Sequence, residues 1–109
     1  MQLIFGRENA EKLREKYTVL DLETLPTEDG RTLEVYCLIA AEKIPISELP
    51  DLETYITLHN EFLKGYQEQQ FNYCRQSAEY LLGKFGGEVD SFYEEIIKRI
   101  DSAEAQKSD

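Results

Sequence analysis

Residues 58–82, LHNEFLKGYQEQQFNYCRQSAEYLL, hold the side chains best suited to chemistry: His59, the only histidine, and Cys74, one of two cysteines. As a pair they suggest a base beside a nucleophile, or, with Cys37, three ligands of a metal site. Neither reading is supported by spacing. A metal site needs three or four ligands, and no C-x-x-C or H-x-x-x-H pattern gathers them. A nucleophilic Cys74 needs a cation or a helix N-terminus to lower its pKa, but Arg75 is its neighbour in sequence, and adjacent helical positions do not face each other. GKFGG, residues 83–87, lacks the order and the Ser/Thr of a phosphate loop and reads as a helix-ending turn. The acidic pairs Asp21/Glu23, Glu28/Asp29 and Glu94/Glu95 have the look of solvated faces, and no apolar pocket marks them for acid–base work. We therefore expect no catalytic, cofactor-binding or metal site.

The same stretch reads better as two helices. Leu52, Tyr55, Ile56, His59, Phe62, Leu63 and Tyr66 recur at helical spacing, as do Phe71, Cys74, Ala78, Leu81, Leu82 and Phe85 after a break near Gly65. His59 and Cys74 then lie on the inward stripes of a hairpin. Two sets of residues remain as candidates. His59, Phe62 and Tyr66 could line a groove. Tyr73, Ser77 and Tyr80 form a second, semi-polar face of the middle helix, which must lie against the chain's own strands or against another molecule. Tyrosine suits such a boundary, having one wet end and one apolar end.

The elements around this hairpin follow from period and punctuation. MQLIF is a short apolar start, either a strand or a plug. GRENAEKLREKY reads as a short helix with Ala10, Leu13 and Tyr17 on one stripe. YTVLDLETL and TLEVYCLIA alternate with period two on either side of Asp29-Gly30 and predict an antiparallel hairpin. In the first strand Leu20 and Leu22 face inward, and Val19, Asp21 and Glu23 outward. The second strand is apolar on both sides near its end, so it should be internal or covered by a helix. Pro45 and Pro50 punctuate a connector, and SFYEEIIKRI supplies a last helix. The fold expected is α+β: a two-stranded antiparallel hairpin, with a short third strand if MQLIF is one, packed on three to four helices. Residues 1–101 should form one domain, with 102–109 a disordered tail.

With 109 residues, 12 basic and 22 acidic, the chain carries a formal charge of −10. That field repels phosphate backbones and anionic lipid, so neither nucleic acid nor membrane is expected as a partner, whereas a basic protein is permitted; the excess of apolar helix faces also allows a homodimer. No apolar run approaches the roughly 20 residues of a membrane span, and the first residues lack the pattern of an export signal. Two free thiols are then expected in a cytoplasmic chain.

FLKGYQEQQFNYCRQSAEYLLGKF resembles a tetratricopeptide helical hairpin, extending to SFYEEIIKRI over residues 52–100. Phe62 and Tyr66 close its first helix, and Phe71, Cys74 and Ala78 match the anchor and small positions of the second. The chain has one such unit, a displaced glycine, and cysteine where alanine is usual, so the resemblance implies a single decorated hairpin rather than an array. The layout from IFGRENAEKLREKYTVLDLETL through EVYC to GEVDSFYEEI is similar to small uncharacterised proteins of marine bacteria and their phages, which implies a host-directed or accessory role. Together these features point to a small acidic protein-interaction or accessory module without catalysis. A small-ligand binder or enzyme with a site between hairpin and helices, near His59 and Tyr66, is the alternative.

Overall fold

The computed structural model describes residues 1–107. Its strands are β1 (Gln2–Phe5), β2 (Thr18–Pro26) and β3 (Thr32–Ile39), and its helices α1 (Arg7–Leu13), α2 (Leu52–Gln67), α3 (Phe71–Leu81) and α4 (Asp90–Lys107). The fold is α+β, as expected, but the sheet has three antiparallel strands in the order β1-β3-β2 rather than two. The apolar start MQLIF is strand β1: it pairs Gln2 with Leu38 and Phe5 with Val35, which makes β3 the central strand.

Burial on both faces explains why β3 is apolar on both sides. Leu20, Leu22, Val35, Cys37 and Ile39 join the core formed with α2, α3 and α4. Ile4, Val19, Tyr36 and Leu38 form a smaller core under Ala10 and Leu13 of α1. The sheet is thus a middle layer, and the face assigned to solvent is only partly polar: Val19 is buried beneath α1. One extra residue, Leu22, interrupts the β2–β3 ladder. The register passes from Asp21↔Tyr36 to Glu23↔Val35, a bulge that turns Glu23 to the same side as the core-facing Leu20 and Leu22, where Arg99 of α4 pairs with it.

α2 and α3 run antiparallel. Phe62 and Cys74 meet at the middle of the seam, where the Cys74 thiol donates to the Phe62 carbonyl at 3.7 Å. Gly65 sets their approach: a Cβ there would lie 3.0 Å from the Tyr73 ring and 3.4 Å from Cys74 Sγ. The break falls after the expected position near Gly65, because α2 runs on to Gln67. Gln69 takes a positive φ of 61°, and α3 begins at Phe71. α3 ends at Leu81, so Leu82, placed on its inward face by spacing, is turned partly to solvent.

Phe85 remains a core residue although it has left the helix. The turn after α3 carries it inward, and Glu48 Oε1 accepts the Phe85 amide at 2.7 Å, tying the Pro45–Pro50 connector to this turn. Gly86 cannot be anything else here. Its φ is 65°, and a Cβ would fall 2.0 Å from the Lys43 carbonyl oxygen. Asp90 is the first residue of α4, and its carboxylate accepts the Gly83 amide at 2.8 Å. Residues 102–107, assigned to the tail, are helical, and Arg75 of α3 pairs with Asp101 and Glu104. Residues 108 and 109 lie outside the described residues. Among the described residues no helix is long and apolar enough to cross a membrane.

Candidate functional site

His59 lies at the junction of three elements. α2 carries it inward on the stripe of Tyr55 and Phe62, and its side chain is 0% exposed. Nε2 is 2.6 Å from the Asp21 carbonyl oxygen at the β2 bulge, and Nδ1 is 2.8 Å from the Tyr93 hydroxyl of α4. A carbonyl can only accept, so Nε2 bears the proton and donates to it. Nδ1 then accepts from Tyr93. The imidazole is the neutral tautomer with both nitrogens engaged. Burial depresses its pKa, and the bond to the Asp21 carbonyl opposes that shift in part. Burial likewise drives the Tyr93 phenol upward.

Rings enclose this imidazole. Phe85, Phe92 and Tyr93 lie with centroids 6.3, 6.2 and 5.7 Å from it. Phe62 is fully buried and meets Tyr93 edge-on at 5.3 Å. His59 and Phe62 therefore do not line a groove. Of the three groove candidates only Tyr66 reaches a cleft, a space of about 240 Å³ between β2 and the helices that it shares with Glu23 and Arg99. Arg99 is occupied there by Glu23 at 3.0 Å and Glu95 at 3.3 Å. A ligand entering this cleft would meet Tyr66 but neither ring nitrogen of His59.

The cysteines are free and buried. Burial raises the Cys37 thiol to about 11 and pushes Cys74 up as well, which is opposite to what a nucleophile needs. Among the described residues no group of three or more histidine, cysteine or acidic side chains is placed to hold a metal ion.

The candidates on the middle helix divide. Ser77 is only 9% exposed, so little of it reaches the surface that its spacing suggests. Tyr73 and Tyr80, two turns apart, lie along the rim where α3 meets α2, with Glu61 and Gly65 beside the first and Tyr55 beside the second. The Tyr73 hydroxyl donates to Glu61 at 2.9 Å, and this bond raises its pKa. Its ring rests over Gly65. Tyr80 tilts against Tyr55 with centroids 6.2 Å apart, and the Lys84 ammonium sits over both rings at 5.2 and 5.4 Å. Even so, Tyr73 is 37% and Tyr80 52% exposed. On the neighbouring connector, tied to the post-α3 turn through Glu48, Ile46 is 84% exposed and Leu49 also faces out.

Sequence reasoning missed one other feature and left a second open. Arg7 reaches Glu34 with two bonds, at 3.1 and 3.0 Å, and Tyr36 donates to the same carboxylate. The Tyr36 bond chiefly holds the Glu34 carboxyl below its usual range. These groups flank a cleft of about 170 Å³ beside Asp21 and Glu23. Nothing in the spacing of residues 7, 34 and 36 announces this, because only the β1–β3 pairing brings Arg7 to Glu34. The second feature is β1, whose Leu3 and Phe5 stand exposed at the sheet edge. The short apolar run of MQLIF allowed a strand or a plug. No protein-family model, no curated protein and no solved structure matches this chain.

Proposed function

We propose that this chain is a small, soluble, acidic protein-interaction or accessory module of the cytoplasm, acting without catalysis through the Tyr73–Tyr80 rim of α3. The observation that carries the reading is Tyr80. This large ring is half open to solvent although Tyr55 and Lys84 already hold it in place. A ring fixed before binding loses little side-chain entropy when a partner covers it, which is why tyrosines anchor interfaces. Tyr73, fixed by Glu61, extends the same rim. The charge of −10 favours a basic partner protein and disfavours nucleic acid and anionic membrane. The resemblances to a tetratricopeptide hairpin and to small marine bacterial and phage proteins agree with an accessory, host-directed role.

The test is paired affinity capture from the native host with the wild-type chain and with Tyr80→Asp as bait, followed by direct binding of each purified candidate. The reading expects a partner that binds the wild type and loses roughly tenfold or more in affinity for the variant. Equal binding to both baits refutes the rim as the interface.

A further inference from the structure

The sheet has two edge strands, and their outward backbone groups are treated differently. In an antiparallel ladder the N–H and C=O of one residue point to the same side, and successive residues alternate. The Gly6 amide donates to the Glu34 carbonyl at 2.9 Å, which fixes the phase. Gln2 and Ile4 therefore bond to β3, and Leu3 and Phe5 direct their backbone groups away from the sheet. By the same alternation Thr18 and Leu20 of β2 bond to β3, while Val19 and Asp21 point outward. Both of these β2 carbonyls are occupied: Val19 by Arg14 Nη1 at 3.0 Å, and Asp21 by His59.

On β1 the Phe5 carbonyl accepts from Asn9 Nδ2 at 3.0 Å. Among the described residues no side chain bonds to the amides of Leu3 and Phe5 or to the Leu3 carbonyl. The strand QLIF also contains no charge, proline or bulge of the kind that normally blunts an edge. Its outward-facing apolar residues, Leu3 at 44% and Phe5 at 48% exposed, line a cleft of about 770 Å³ with Lys12, Tyr17 and Leu38.

We infer that β1 receives an extended peptide segment of a basic partner as a fourth strand, hydrogen-bonded to Leu3 and Phe5, with alternate apolar side chains of the peptide against their exposed faces. This is a second surface, independent of the Tyr73–Tyr80 rim. Two considerations select such a peptide over a second copy of this chain. The half-exposed side chains of Leu3, Phe5 and Tyr17 offer roughly 300 Å², well under the ~800 Å² per partner of a stable dimer but suited to strand addition, where main-chain bonds carry much of the affinity. Two copies would also bring charges of −10 together, whereas lysines or arginines flanking a peptide strand are drawn to that field.

The test uses the full chain and a labelled peptide with a core of alternating valine and threonine flanked by lysine pairs, alongside the same core flanked by glutamate pairs. The lysine peptide should bind, and the amides of Leu3 and Phe5 should become protected from hydrogen exchange. The glutamate peptide should bind roughly tenfold or more weakly. Leu3→Pro removes an outward amide without breaking a β1–β3 bond and should weaken the lysine peptide roughly tenfold. Phe5→Lys places a charge on the contact face and serves if Leu3→Pro does not fold. Tyr80→Asp should leave peptide binding unchanged, which separates this surface from the rim. The inference is overturned if the lysine peptide does not bind, if it binds without protecting Leu3 and Phe5, or if both β1 variants bind it as the wild type does. It is also overturned if light scattering shows a dimer that Leu3→Pro dissociates, since a second copy would then be the occupant.

Discussion

The hydroxyl of Tyr93 donates to Nδ1 of His59 at 2.8 Å, inside a cage of rings that admits no solvent to the imidazole. The bond joins α2 to α4, and the opposite nitrogen joins α2 to the β2 bulge. His59 is a brace between layers. Its replacement should be felt in stability. His59→Ala removes a buried ring and orphans both the Tyr93 hydroxyl and the Asp21 carbonyl, at a cost of about 3–5 kcal/mol. Tyr93→Phe removes one bond and should cost about 1–2 kcal/mol. A double-mutant cycle in chemical denaturation should return a coupling of about 1 kcal/mol. Additive losses would show that the two side chains act separately.

Acid should weaken the fold through the same group. The unfolded histidine has its ordinary pKa near 6.5, and burial holds the folded value below it. The unfolded state therefore binds the proton more readily, and stability increases with pH across this window. The stabilisation is complete above about pH 6.5 and declines as pH falls toward the depressed folded value. Denaturation midpoints measured between about pH 7.5 and 5 should fall for the wild type. A variant lacking the imidazole, such as a folded His59→Gln, should fall less over this range.

Two glycines should respond differently to alanine. Gly86→Ala sets a methyl group 2.0 Å from the Lys43 carbonyl at a positive φ, so the connector must move, and we expect a loss of about 3 kcal/mol or more. At Gly65 the obstacle is the Tyr73 ring, which is partly exposed and can shift, and α2 gains about 1 kcal/mol of helix propensity. Gly65→Ala should lie within about 1 kcal/mol of wild type. Thermal melts of the two variants check the contrast.

The thiols should be silent in the native state. Cys37 and Cys74 are both fully buried, and burial keeps both protonated at neutral pH. A colourimetric thiol reagent should modify both in denaturant and neither in buffer on the time scale of mixing. Rapid labelling of Cys74 in the folded chain would contradict its place in the α2–α3 seam.

Much of this was legible from residue spacing. The helical stripes located Tyr55, His59, Phe62, Cys74 and Ala78 in the seam, and the period-two runs located Leu20, Leu22, Val35, Cys37 and Ile39 on one sheet face. Position on a stripe does not say how deep a residue lies, however. His59 and Phe62 are sealed, whereas Tyr66, a turn further on, reaches a cleft because it lies beyond the cover of Phe92 and Tyr93. Ser77 shares the helical spacing of Tyr73 and Tyr80 but is only 9% exposed, because spacing gives direction and not depth. The strand β1 and the second, smaller core depend on pairing between residues more than 30 positions apart, such as Ile4 with Tyr36, and no local pattern encodes that. Arg75, set aside as a partner for Cys74, instead reaches Asp101 and Glu104, whose helix extends past the expected end of the ordered chain.

The side chains covering the Val19 and Asp21 carbonyls also limit stoichiometry. A sheet with two receptive edges can be extended by copy after copy, and such growth has no natural end. Here a strand arriving beside β2 would have to displace Arg14 from one carbonyl and extract a buried His59 from the other. Along Val19–Asp21 that edge is closed, so copies of this chain cannot extend the sheet through both of its edges. Stacking of copies edge to edge, β1 on β2, is blocked there.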